Sequence, residues 1–287
     1  MLSTILQTLQ MNSEFLSYWQ LSERPFEATW DTRFYFQSRD HDEALSRLGF
    51  LVGEQTMNIG MLTGEIGCGK TLTREVFSER LDRKKFHVVT QENSAFGFKD
   101  LIGAVVRVVD PTGAGETKFA RCERLTRAVQ KIRAEGKHLV LIFDEAQEMS
   151  ALTLGELKLL TNLNGGGQNF LTLILLGQPE LRARVARLPA IDQRISLRFH
   201  LRPLNQDDVA FYLEHRLRAA GHPTGDLFPF EAAARIFQTS KGIPREVNRL
   251  AKLALELAWL REMPNVAEEA VETVMRDLGR HQVLCTA

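Results

Sequence analysis

"LTGEIGCGKTLTREVF" (residues 62–77) decides the fold that the rest of the sequence has to satisfy. Its core, Gly64-Glu65-Ile66-Gly67-Cys68-Gly69-Lys70-Thr71, meets G-x-x-x-x-G-K-[ST] at every fixed position. The motif needs a strand in front and a helix behind. "MNIGMLTG" (57–64) is apolar and short enough for a buried strand. "KTLTREVFSERL" (70–81) places Leu72, Val76, Phe77 and Leu81 at helical spacing. Glycines let the backbone curl so that successive N–H groups face an anion, and the helix adds its positive end. The expected nucleotide-contacting stretch is therefore Gly64, Glu65, Ile66, Gly67, Cys68, Gly69, Lys70, Thr71 and Leu72. Lys70 is expected to reach the β- and γ-phosphates of ATP, and the Thr71 hydroxyl to ligate Mg²⁺. Cys68 holds a free position of the loop and reads as a small filler.

Downstream, "LVLIFDEAQ" places Asp144 and Glu145 at the carboxyl end of an apolar strand. In an open α/β sheet that end faces the ligand crevice, where the phosphate loop also lies. Asp144 is expected to hold Mg²⁺ through water, and Glu145 to polarise the attacking water. Taken alone, two acids at a strand end could simply be solvated. Their order after the phosphate loop points instead to a nucleoside triphosphatase.

The remaining pattern alternates. A proline-marked segment, "SERPFEATWDTRFYF", precedes a helix expected from about Ser38. "FHVVTQ" (86–91), "HLVLIF", "FLTLILLGQ" and "ISLRFHLRPL" read as further strands. "FKDLIGAVVRVV" (98–109), "ERLTRAVQKIRAEG" (123–136) and "ALTLGELKLLTNL" read as helices, with turn-rich "DPTGAGETK" (110–118) and "NGGGQN" as loops. Continuous apolar strands separated by helices imply a parallel sheet covered on both faces, an α/β fold of three layers. After about Pro203 only helical stretches follow. The expected division is a lead-in over 1–56, a P-loop core over 57–202 and a small all-helical domain over 203–287.

Composition narrows the function classes. Lys+Arg and Asp+Glu both total 36, so net charge favours neither nucleic acid nor acidic lipid, and any basic surface has to be local. Cys68, Cys122 and Cys285 share no short spacing, so neither a disulfide framework nor a zinc site is expected. No apolar run approaches the ~20 residues of a membrane span, and the start lacks the pattern of a signal peptide. A reduced, cytoplasmic setting without direct membrane insertion is the expectation.

The phosphate loop, "DEAQ", the strand ending in "GQPEL", "RISLRFHLRPL" and "GIPREVNRLAKLAL" occur in the order seen in AAA+ ATPases. Together with "LSERPFEATWDTRFYFQSRDHDEAL" they resemble the general secretion pathway protein A group, over roughly residues 18–280. Transposon-encoded target-selection ATPases are part of the same resemblance. It implies that the helical domain is a lid and that Gln178 is sensor 1, feeling the γ-phosphate. It also implies that Arg245 is sensor 2 and that Phe26 and Phe34 lie near the adenine. Arg198 corresponds to an arginine finger reaching a neighbouring subunit, with Arg194 the other candidate. Both belong to an arginine-rich run with Arg182, Arg184, Arg187 and Arg202, most of which reads as solvated face. The loop after the second strand carries Asn93, a candidate to couple to Glu145, and Lys99. Lys99 and Gly165-Gly166-Gly167 are candidates to face a threaded polymer or DNA, with a core role for Phe96 and Phe98 as the structural alternative.

Three functions fit this resemblance. The expected one is an ATP-controlled homo-oligomer, ring or filament, that assembles on duplex DNA and recruits a transposase. The second is an ATPase of secretion or pilus assembly. Secretion members of the group continue into a membrane span and a wall-binding region, and the sequence contains neither, which inclines the expectation toward DNA. The third, an adaptor with a degenerate site, is disfavoured by the intact Lys70, Asp144 and Glu145.

Overall fold

The computed structural model describes residues 2–111 and 117–284. Five strands, β1 (Ile59–Gly64), β2 (Phe86–Gln91), β3 (His138–Phe143), β4 (Leu171–Gly177) and β5 (Ile195–Leu201), form one parallel sheet in the order β2-β3-β4-β1-β5. β1, β3 and β4 are buried at every residue. Their largely apolar runs are what a central strand covered on both faces requires. β5 is an edge and alternates buried with exposed positions. Register sets Leu173 beside both Ile59 and Leu141, and Thr63 beside both Gly177 and His200.

The chain divides into two compact units. One takes the sheet and runs over Arg39–Ile66 and Lys70–Arg202. The other comprises the N-terminal segment to Ser38, Gly67–Gly69, and the chain from Pro203 onward. The helices follow in chain order as α1 (Leu2–Tyr18), α2 (Arg39–Gly53), α3 (Lys70–Arg80), α4 (Phe98–Val109), α5 (Lys118–Ala134), α6 (Ala151–Glu156), α7 (Pro179–Ala186) and α8 (Pro189–Asp192). α9 (Gln206–Ala219), α10 (Phe230–Ser240), α11 (Pro244–Leu260) and α12 (Glu268–Leu284) build the second unit with α1.

Each unit has its own core. In the sheet unit, Leu139, Leu141, Phe143, Leu173 and Leu175 pack with Leu101, Ile102 and Val105 of α4 and Leu125 and Val129 of α5. Fully burying each such side chain stabilises by about 1.5–3 kcal/mol. In the helical unit, Phe15, Trp19, Phe26 and Phe34 of the N-terminal segment pack among Val209, Leu213, Leu250 and Ala254. Arg216, 3% exposed, pins that segment down. Its Nε donates to Pro25 O at 2.6 Å, its Nη2 donates to Glu27 O at 2.7 Å, and its guanidinium lies 4.5 Å from the Phe34 ring centre.

Several elements depart from expectation. α1 has no counterpart in the sequence reading, and α5 begins at Lys118, where the Thr117 side chain accepts from Ala120 N–H and caps the helix. The helix expected over "ALTLGELKLLTNL" stops at Glu156 and continues as a 3₁₀ segment, Leu157–Asn162. Gly155 lowers the helical preference just before the break. "NGGGQN" is a two-residue antiparallel ribbon, Asn164–Gly165 with Gln168–Asn169, turning through Gly166 and Gly167 at positive φ. Residues 112–116 of the expected surface connection, and Cys285, lie outside the described residues.

Candidate functional site

The phosphate-loop motif leaves the carboxyl end of β1 and enters α3 at Lys70. Gly67 and Gly69 adopt φ of 84° and 92°, a region that side chains resist and glycine accepts. A Cβ on Gly67 would also fall 2.6 Å from Arg245 Cβ, within the unit both residues share. Cys68 is fully buried, consistent with a filler. Lys70 is 6% exposed, and its Nζ donates to Gly64 O at 2.8 Å and to Glu65 O at 3.0 Å. The ammonium is thus held at the mouth of the loop.

β3 ends at Phe143, one residue before the acids. Asp144 is 3% exposed, and the Thr71 side chain acts on its carboxyl, bringing the end of the phosphate loop to the end of β3. Its Oδ1 accepts from Glu145 N–H at 2.9 Å and its Oδ2 accepts from Arg74 Nη1 at 3.0 Å. Burial pushes the Asp144 carboxyl up, while Arg74, the Glu145 N–H and Thr71 act to hold it down. Arg74 is itself buried, and it also pairs with Glu75 and, at 3.3 Å, with Glu92 beyond β2. The loop after β2 is fastened by a second bond, from Ser94 Oγ to Asp144 O.

Neither Arg74 nor Ser94 figures in the sequence reading. The signal for Arg74 was its place one helical turn beyond Lys70, on the face that α3 turns inward. A hydroxyl and a carboxylate at this point form a hard oxygen donor pair of the kind Mg²⁺ prefers. Among the described residues no cluster of three or more His, Cys, Asp and Glu could hold a further metal ion.

Glu145 adopts φ 49° and ψ 38°, left-handed backbone that costs a residue with a side chain about 1–2 kcal/mol. Its Oε2 accepts from Gln147 Nε2 at 2.6 Å. Gln147 Oε1 in turn accepts from Gln178 N–H at 3.0 Å, where β4 gives way to α7. The Gln178 side chain does not cap that helix. Asn93, a candidate to couple to Glu145, accepts from Ala95 N–H at 3.0 Å. Glu145 and Gln178 therefore meet through Gln147, a residue to which the sequence assigned no role.

The arginines are spread along the edge. Arg194 Nη1 donates to Ala190 O at 2.7 Å, and Arg198 Nη2 lies 2.8 Å from both the carbonyl and the Oδ1 of Asp192. Each thus has a partner in its own chain, where the sequence offered no evident one. Arg184 is tied to Met149 O, and Arg202 grips Asp40 with two bonds at 2.8 and 2.7 Å, holding that carboxyl below its ordinary range. Arg245 is the second residue of α11, and its N–H donates to Gly67 O at 3.2 Å.

Phe26 and Phe34 are 4% and 3% exposed inside the helical unit's core. Phe98 is buried, whereas Phe96 is 53% exposed. Lys99 is exposed near the start of α4, beyond the carboxyl end of β2. The Gly165–Gly167 ribbon precedes β4 at the opposite end of the sheet, where Asn169 N–H donates to Gln55 O ahead of β1. A polymer touching both would have to run the length of the strands, about 20 Å.

Residues 54–185 match the AAA domain family. Over 86% of its length the chain is 31% identical to general secretion pathway protein A of Aeromonas hydrophila, and it spans 45% of that protein. Among solved structures, the Aeropyrum pernix ORC2 protein in its ADPNP–ADP complexes aligns with a TM-score of 0.67 at 18% identity. That alignment covers 88% of this chain and 71% of the other. The Aeropyrum pernix ORC1 protein, solved in complex with DNA, aligns with a TM-score of 0.63 at 16% identity, covering 87% and 68%. At these identities the two structures speak for the fold alone. No helix among the described residues is long and apolar enough to cross a membrane.

Proposed function

We propose that the protein, whose residues 54–185 match the AAA domain family and which is related in sequence to general secretion pathway protein A, binds and hydrolyses ATP as a nucleotide-controlled switch. The observation that carries this is the buried Asp144 carboxylate fastened to α3 by Arg74 at 3.0 Å, with Thr71 acting on it, beside a loop that presents Lys70. Gly64 to Leu72 cradle the phosphates, with Lys70 on the β- and γ-groups. Thr71 and Asp144 would hold Mg²⁺, which when bound neutralises charge on the transferring phosphoryl group. Glu145 orients the water. In the reaction, the water oxygen bonds to the γ-phosphorus, the bond to the β,γ-bridging oxygen breaks, and ADP and phosphate leave with the water's proton. Gln178 senses the γ-phosphate, Arg198 or Arg194 completes a neighbour's site in a ring or filament, and Arg245 reads the nucleotide from α11.

In this proposal the oligomer is cytoplasmic and assembles on duplex DNA to recruit a transposase. Its support is the sequence resemblance to transposon-encoded target-selection ATPases. A second reading, service to a secretion or pilus machine, is favoured by the 31% identity to general secretion pathway protein A.

The direct test is nucleotide binding and phosphate release by the purified protein. Lys70→Ala should lose binding. Glu145→Gln should bind ATP and hydrolyse it at least about 100-fold more slowly. Binding by Lys70→Ala equal to wild type would refute the cradle, and wild-type turnover by Glu145→Gln would refute the assigned base.

A further inference from the structure

We propose that Gln147 is a positioning residue that ties the hydrolytic carboxylate of Glu145 to the γ-phosphate-sensing end of β4, so that turnover follows the position of Gln178. The proposal rests on the reading of Glu145 given above and adds how that group is controlled.

The polarity of the Gln147 amide is dictated by its surroundings. Main-chain N–H of Gln178 is a donor only, so the atom facing it at 3.0 Å has to be the amide oxygen. The NH₂ is then turned to Glu145 Oε2 at 2.6 Å, with Glu148 Oε1 at 3.4 Å. The side chain is 8% exposed, so each bond forms largely out of water, where a lost partner is costly.

A second, independent feature is built around the same amide. Gly177 ends β4 at a φ open to any residue, so its backbone does not require glycine. What requires glycine is space, since a Cβ there would lie 2.8 Å from Gln147 Oε1 and 2.9 Å from Leu181 Cδ2. The missing side chain is what lets the amide reach the next peptide. Glu145 itself occupies left-handed backbone, a conformation that persists only where neighbours over-determine it. Gln147 is one such neighbour. The three residues make a single rigid link between the carboxyl ends of adjacent strands β3 and β4. A shift of Gln178 moves its N–H, the amide follows, and the carboxylate moves with it.

The test compares Gln147→Met, Gln147→Glu, Gly177→Ala and the Gln147→Met/Gly177→Ala double variant with wild type. Read-outs are kcat and KM for MgATP, and affinity for a fluorescent ATP analogue. Met keeps the length and loses both bonds. Glu keeps an acceptor for Gln178 and loses the donor to Glu145. All variants should bind nucleotide as wild type does, with KM within about twofold and kcat down about 10- to 100-fold, the cost of misplacing a reacting group by about 1 Å. The double variant should be no slower than the slower single, because both break one link. The proposal is overturned if Gln147→Met or Gln147→Glu keeps wild-type kcat, if kcat and nucleotide affinity fall together, or if the two single effects multiply. Should Gly177→Ala fail to fold because of Leu181, the two Gln147 variants still decide. Wild-type turnover by Glu145→Gln would overturn the underlying reading, and this proposal with it.

Discussion

Arg74 Nη1 lies 3.0 Å from Asp144 Oδ2, and the two side chains are 1% and 5% exposed. A buried carboxylate is tolerated only where an opposite charge and hydrogen bonds replace its water. Here the guanidinium supplies the charge, and the Glu145 N–H supplies a further bond. α3 is thereby locked to the end of β3, which keeps the two expected metal-binding groups close.

Removing one partner of this pair should therefore be costly. Arg74→Met is expected to lower stability by about 3–5 kcal/mol, because Asp144 is left buried without its counter-charge. Arg74→Met combined with Asp144→Asn should recover part of the loss. Urea unfolding midpoints measure both, and an unchanged midpoint in Arg74→Met would mean that the pair contributes nothing.

Arg198 is paired with Asp192, with side chains 37% and 33% exposed. A pair so open to water is worth at most about 1 kcal/mol, so Arg198→Ala should fold normally. If its guanidinium also serves a neighbouring subunit, hydrolysis should fall about 10³-fold or more while ATP binding survives. Specific activity of the wild type should rise with protein concentration, and the variant should lose that rise. Arg194→Ala is the parallel experiment, and Asp192→Asn controls for the local pair. Turnover independent of concentration would rule out shared sites.

Stability should fall in mild acid through His138. This side chain is fully buried on β3, its Nε2 is 2.9 Å from Thr172 Oγ1, and burial, aided by the charge of Arg133, pulls it down to about 4. The unfolded chain takes up this proton near pH 6.5, while the folded chain takes it up only near 4. Between those values the unfolded state carries more protons, so roughly 3 kcal/mol is lost as pH drops through the window. His87, His215 and His222 are also lowered by burial, so the diagnostic is a difference. His138→Gln should show a shallower decline than wild type between pH 6.5 and 4. Equal slopes would place the effect elsewhere.

Duplex DNA should bind the ATP-bound oligomer without marked sequence preference, and affinity should fall steeply with salt as phosphate contacts release counterions. Disassembly with ADP should weaken it by removing multivalency. Anisotropy of a labelled duplex across a salt series, with a non-hydrolysable ATP analogue, measures this. No binding at low salt with the oligomer formed would leave the secretion or pilus reading in its place.

Local chemistry wrote much of this fold into the sequence. β1, β3 and β4 are legible because a strand buried on both faces has to be predominantly apolar. The phosphate loop is legible because only glycine accepts the φ values of Gly67 and Gly69. Asp144, Glu145 and Gln178 stand out because each follows directly on such a strand. Other features were illegible for equally physical reasons. α1 rests on Phe15, and on Trp19 just beyond its end, packing into a core assembled mostly from residues beyond 203.

Sequence alone thus settled which segments become the strands of the parallel sheet, where the backbone must curl around an anion, and which acids end a strand, since all three follow from neighbours along the chain. Folding in three dimensions selected the partners. It set Arg74 on Asp144, put Gln147 rather than Asn93 against Glu145, and required glycine at 177 to admit an amide thirty positions earlier. Such pairings depend on strand order and register, which bring β3 and β4 side by side. Neither is encoded in any single stretch of the chain.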